Sequence, residues 1–128
     1  MGQKIKVNNI VVIVIEDEPF IRMAIVEALL EDGFDVLEAS HAREAIAILE
    51  ANADHVLALF TDINMPGDLD GAGLTNHARI HWPWLSLLVT SGRAHPTAHT
   101  LPEGARFISK PYEFTDVILN IREMCAAA

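Results

Sequence analysis

At 128 residues, with 51% hydrophobic and 21% charged side chains, the chain is long enough to bury a core without disulfides or structural metals. Its formal charge of -9, from nine Lys and Arg against eighteen Asp and Glu, argues against nucleic acid and against an anionic membrane surface. One cysteine, Cys125, forms no internal disulfide, and neither a signal-peptide core nor a membrane-length apolar run is present, so a cytoplasmic protein is expected.

Residues 1–9 are polar and read as a short leader to a single domain over residues 1–128. Ile10-Val11-Val12-Ile13-Val14-Ile15 is continuous and β-branched, the pattern of a strand buried on both faces. It stops at Glu16-Asp17-Glu18-Pro19, acids followed by a proline suited to a helix's first turn. Ile21, Ala24, Ile25, Ala28 and Leu29 then share one helical stripe directed at the core, and Gly33 supplies the stop. Residues 34–38 read as a second strand. Ser40 is the candidate N-cap of a second helix, whose stripe is Ala42, Ala45, Ile46 and Leu49.

The third strand is expected over residues 56–60, delivering Asp62 to the point where Met65-Pro66-Gly67 turns the backbone. Asp68 and Asp70 read as a solvated loop. Leu74, His77, Ala78 and His81 suggest a third helix, closed by Trp82-Pro83, and residues 85–89 a fourth strand ending at Thr90-Ser91-Gly92. Pro96 and Pro102 leave room only for a short or irregular fourth helix between Arg93 and Gly104. Residues 105–108 form a fifth strand before Ser109-Lys110-Pro111, and a last helix turns Phe114, Val117, Ile118, Ile121 and Cys125 inward. Strands alternating with helices imply an α/β fold, a five-stranded parallel sheet with helices on both faces.

Sites in such a sheet form outside the carboxyl ends of the strands. Those ends carry Glu16 and Asp17, Asp62, Thr90 and Lys110. Gathered carboxylates repel, and a hard divalent cation such as Mg²⁺ relieves the repulsion through oxygen ligands. A carboxylate beside that ion can attack phosphorus and form an aspartyl phosphate, while an ammonium neutralises the transferred charge. No glycine-rich phosphate loop follows the first strand, which argues against nucleotide binding. The pairs His77/His81 and His95/His99 have i,i+4 spacing but lack a third metal ligand at motif spacing, and Trp82 and Trp84 read as a packed turn.

Four segments, Ile15-Glu16-Asp17-Glu18-Pro19, Thr61-Asp62-Ile63-Asn64-Met65-Pro66-Gly67, Val89-Thr90-Ser91 and Ser109-Lys110-Pro111, then tell together. In their order and spacing the chain resembles, over nearly its whole length, the CheY-like receiver domains of two-component response regulators. The resemblance implies a flavodoxin-like strand order 2-1-3-4-5 and a signalling domain rather than an enzyme. It implies Asp62 as phosphoacceptor and Mg²⁺ as cofactor, held by Asp17 and Asp62 directly, by Glu16 through water and by the backbone carbonyl of Asn64. It further implies Thr90 and Lys110 as phosphoryl contacts, a cis bond before Pro111, and Thr90 with Phe107 as the switch pair. The implied partners are a sensor histidine kinase or histidine phosphotransfer protein and an unidentified downstream protein. Two departures stand out: one extra residue between Pro66 and Gly71, and the prolines in the fourth helix. Two rivals remain on the sequence, a phosphorylation-independent scaffold and a Mg²⁺-dependent phosphatase using Asp62. Against the second, Asn64 stands where such a phosphatase needs its second acid.

Overall fold

A computed structural model of the chain describes residues 9–92 and 101–127. The elements run β1 (Val11–Ile15), α1 (Pro19–Glu31), β2 (Asp35–Ala39), α2 (Ala42–Asn52), a 3-10 turn (Ala53–His55), β3 (Ala58–Asp62), α3 (Gly71–His81), β4 (Ser86–Ser91), β5 (Arg106–Ser109) and α4 (Phe114–Ala127). The strands are parallel in the order β2-β1-β3-β4-β5, the flavodoxin-like arrangement. Strand order reverses between β1 and β3, so a crevice opens there, above the carboxyl ends of the strands.

Two cores sandwich the sheet. Ile13, Ile15, Leu59 and Leu87 point to one face and pack against Ala45 and Leu49 of α2 and Leu74 and Ala78 of α3. Their neighbours Val12, Val14, Phe60 and Leu88 point to the other, against Ile25 and Leu29 of α1 and Val117 and Ile121 of α4. Period-two alternation with both faces covered is why β1 is apolar throughout and β3 is apolar up to Phe60, before Thr61 and Asp62 at its tip. Each fully buried Leu or Ile contributes roughly 2 kcal/mol.

Helix ends are set by local chemistry. Pro19 opens α1 after Glu18, whose carboxylate accepts the Phe20 N–H at 3.1 Å. Gly33 closes it at φ 95°, with the Phe34 N–H bonded to Leu29 O and the Gly33 N–H to Leu30 O, both at 3.1 Å. That is a Schellman closure, and Phe34 and Leu29 complete it by sharing one core.

Several expectations are corrected. The N-cap of α2 is His41, whose Nδ1 accepts the Glu44 N–H at 3.2 Å; Ser40 instead donates its N–H and hydroxyl to the Glu44 carboxylate. Strand β3 covers residues 58–62 rather than 56–60: Val56 still caps the 3-10 turn, its N–H bonded to Ala53 O at 3.2 Å, and the strand runs on to Asp62. Asp70 is no free loop acid: it caps α3, accepting from the Gly73 N–H at 2.8 Å. Ile21 and Phe114, placed inward on their stripes, are 42% and 40% exposed. The expected fourth helix falls on residues 93–100, outside the described ones, while residues 101–104 make a turn into β5.

Candidate functional site

Asp62 ends β3, the strand with all five residues buried, and is itself 6% exposed. Its Oδ1 accepts the Asn64 N–H at 2.9 Å, and its Oδ2 accepts from Lys110 Nζ at 2.5 Å. The carboxylate is thus fixed from two sides, by its own turn and by a cation from the far edge of the sheet. Lys110 reaches it from just beyond β5, with its backbone N–H on Ser91 O at 3.0 Å and a cis peptide to Pro111.

The backbone under Asp62 is clamped by α3. A Cβ on Gly71 would lie 2.1 Å from the Asp62 carbonyl oxygen and 2.8 Å from Ile63 Cα, so only glycine lets the helix begin here. The Gly71 N–H then bonds Ile63 O at 3.0 Å.

Glu16 and Asp17 follow β1 and differ sharply. Glu16 is 4% exposed, its Oε2 accepts the Glu18 N–H at 3.0 Å, and its own N–H bonds Ala39 O. Burial pushes the Glu16 carboxyl above its ordinary value. The charges of Asp62 and Asp17 push the same way, against the Glu18 N–H and Lys110. Asp17 is exposed at the mouth.

Thr90 stands beside Asp62 in the β3–β4 register and is 1% exposed. Among the described residues its Oγ1 has no hydrogen-bond partner. A buried hydroxyl left unpaired costs about 1–3 kcal/mol, so such a group calls for a ligand atom or a role. At the mouth, Asn64 Nδ2 donates to Ser91 Oγ at 2.7 Å. Phe107 is half-buried on β5, against the small cluster of Ile63, Ala72 and Val89.

The oxygen-only donor set suits a hard cation: the carboxylates of Glu16, Asp17 and Asp62 and the Asn64 carbonyl. Among the described residues no group of three or more His, Cys, Asp or Glu is gathered as a ready cage. Mg²⁺ needs none, because it keeps several waters and takes one or two carboxylates plus phosphate oxygens. Glu16 is raised mainly by burial, and the charges of Asp62 and Asp17 add a smaller push that a cation between them would relieve. The residues fit the ion.

Two participants escaped the sequence reading. Tyr112 meets Phe60 edge to face, ring centroids 5.8 Å apart, and its phenol is pushed up to about 12 by burial and by the charges of Glu16 and Asp62. Its place two residues after Lys110 was the available signal. Arg22 donates through Nη1 to the Glu16 carbonyl at 2.8 Å and through Nε to Glu38 at 3.0 Å. It lies one helical turn into α1, where an exposed arginine is unremarkable in sequence. His77 and His81 stack at 4.1 Å beside Trp82, far from the acids in the chain's layout, while His95 and His99 lie outside the described residues. Among the described residues no helix is long and apolar enough to cross a membrane.

Comparison with known proteins bears on this arrangement as a whole. The family model of the response regulator receiver domain matches residues 12–122. The sensor kinase CckA of Brucella abortus is 33% identical over 116 residues, covering 88% of this chain and 12% of that protein. A response regulator receiver domain protein from Clostridium thermocellum superposes with a TM-score of 0.82 at 25% identity, covering 92% of this chain and 95% of that one. The receiver domain of the hybrid histidine kinase CckA superposes with a TM-score of 0.77 at 28% identity, covering 90% and 98%. The chain therefore spans nearly the whole of these receiver domains and a small part of the curated kinase.

Proposed function

The chain belongs to the response regulator receiver domain family of two-component signalling, and on that premise we propose that Asp62 accepts a phosphoryl group and thereby switches contacts with other proteins. Receiver domains take such groups from histidine kinases, and they are signalling domains rather than typical enzymes. One observation carries the reading: a buried carboxylate at a strand tip has a lysine on one oxygen and, beside it in register, a buried hydroxyl with no partner among the described residues.

In the proposed step a carboxylate oxygen of Asp62 attacks phosphorus of a phosphohistidine, the P–N bond breaks, and the imidazole leaves with its electron pair and takes a proton. The donor histidine belongs to a sensor kinase or a histidine phosphotransfer protein. Lys110, already at the carboxylate, neutralises charge on the transferred oxygens. Mg²⁺ held by Asp17, Asp62 and the Asn64 carbonyl, with Glu16 behind, would supply the remaining charge neutralisation. Thr90 gains in the acyl phosphate an acceptor that no described residue gives it, and a shift of that hydroxyl towards the phosphoryl group opens room for Phe107 to move inward. Water later attacks phosphorus, releases inorganic phosphate and restores the carboxylate. A downstream protein reads the changed surface, and a cytoplasmic location belongs to the same reading.

The test is intact-protein mass after incubation with acetyl phosphate and Mg²⁺. The wild type is expected to gain one phosphoryl group, and Asp62→Asn none. No adduct on the wild type, with beryllofluoride also failing to bind, would leave a phosphorylation-independent scaffold as the better reading.

A further inference from the structure

Asp17 is exposed and follows Glu16 directly, so where its carboxylate points depends on what fixes the peptide between them. The Glu16 N–H is held by Ala39 O at 3.1 Å, and the Glu16 carboxylate by the Glu18 N–H. The Glu16 carbonyl, the oxygen of that connecting peptide, is held by Arg22 Nη1 at 2.8 Å. The same guanidinium is anchored on its other side by Glu38 at the end of β2, Nε to Oε1 3.0 Å, with the side chain 21% exposed. Arg22 also lies in the field of Glu44, whose carboxyl is lowered mainly by its Ser40 hydrogen bonds and slightly by Arg22. The fork therefore spans from β2 to the turn after β1, beneath the acids at the mouth.

We infer that Arg22 is a positioning residue for the acid pair: its two-point contact, Nε on Glu38 and Nη1 on the Glu16 carbonyl, holds the Glu16–Asp17 peptide so that both carboxylates face the crevice. This rests on the reading of Glu16 and Asp17 as cation ligands. A planar fork is required, because one side chain must donate in two directions at once, which an ammonium on a flexible stem does poorly.

Position and charge make opposite demands, which makes the inference testable. Arg22 is a cation near a cation site, so by Coulomb's law alone its removal would tighten Mg²⁺ binding. As a positioning group, its removal weakens binding. Arg22→Lys keeps the charge and loses the fork; Arg22→Ala loses both. The experiment titrates Mg²⁺ into wild type, both Arg22 variants and Asp17→Asn, following backbone amide shifts by NMR. It also measures amide hydrogen exchange at Glu16 and Glu18 without metal, and global stability by denaturant.

Arg22→Lys is expected to bind Mg²⁺ about tenfold more weakly, the usual scale for a group that orients a ligand, and to exchange the two amides faster at unchanged global stability. Wild-type affinity and wild-type exchange in Arg22→Lys, or tighter binding in Arg22→Ala, would overturn the inference. Equal Mg²⁺ affinity in Asp17→Asn and wild type would overturn the ligand reading instead, and the exchange rates would still decide what Arg22 holds.

Discussion

Strand β3 lies in the middle of the sheet with every residue from Ala58 to Asp62 buried, whereas β5 lies at its edge with Arg106, Phe107 and Ile108 half-buried and Ser109 exposed. Both deliver one member of the Asp62–Lys110 pair. The central strand is locked by neighbours on both sides and by a helix that tolerates no side chain at Gly71. The edge strand has one partner, β4, among the described residues. Local opening costs least where buried apolar contacts are fewest. The molecule thus carries Asp62 on its most enclosed strand, and Phe107, one of the two groups proposed to respond, on an edge strand.

That contrast can be broken by paired substitutions. Phe60 on β3 is 2% exposed, so Phe60→Ala is expected to cost ~4 kcal/mol, while Phe107→Ala on β5 costs well under half as much. Denaturant unfolding of the two variants measures the gap, and equal losses would erase the distinction. Next, Gly71→Ala drives a Cβ into the Asp62 backbone and is expected to lower stability by ~3 kcal/mol or more, seen as a fall in Tm. A neutral result would mean that α3 can retreat from β3 freely.

Smaller effects sharpen the picture at the crest. Thr90→Val removes a buried hydroxyl that has no partner among the described residues and keeps its volume, so the unphosphorylated protein is expected to gain ~1 kcal/mol. A loss in the same unfolding experiment would show that the hydroxyl has a partner at rest. For Glu16, burial raises the folded-state pKa above the unfolded value, so the folded protein binds that proton more tightly. Stability from this group therefore falls as pH rises from the ordinary carboxylate range through the raised value, and the loss is complete above it. Glu16→Gln, which retains an acceptor for the Glu18 N–H, is expected to be the more stable form at neutral pH, with the gap closing in acid. Parallel curves across pH would contradict the assignment.

Much of this was legible from the chain. Unbroken apolar runs marked β1 and β3 because both faces of those strands are covered, and the acids, threonine and lysine were found by asking what stands at strand ends. The order β2-β1-β3-β4-β5 came through family resemblance, since alternation alone does not choose among parallel orders. What sequence could not give was decided by tertiary neighbours. Ser40 and His41 are both able to cap α2, and the choice fell to Glu44, which reaches back to Ser40 and leaves its own N–H to the His41 ring. Ile21 and Phe114 sit on the right helical stripes, yet both border the open hollow beside Lys110 and Tyr112, where no element among the described residues covers them. Arg22 acts on a carbonyl, and no side-chain pattern advertises a carbonyl.

The long reach of the Asp62–Lys110 pair also bears on how the protein is made. Forty-eight residues separate the two groups, and the lysine arrives after the last strand. A chain growing from its N-terminus on the ribosome presents the aspartate well before its lysine exists, so the pocket around Asp62 is complete only once β5 and Lys110 have been made. A product cut short before residue 110 keeps the aspartate but lacks the cation that neutralises it.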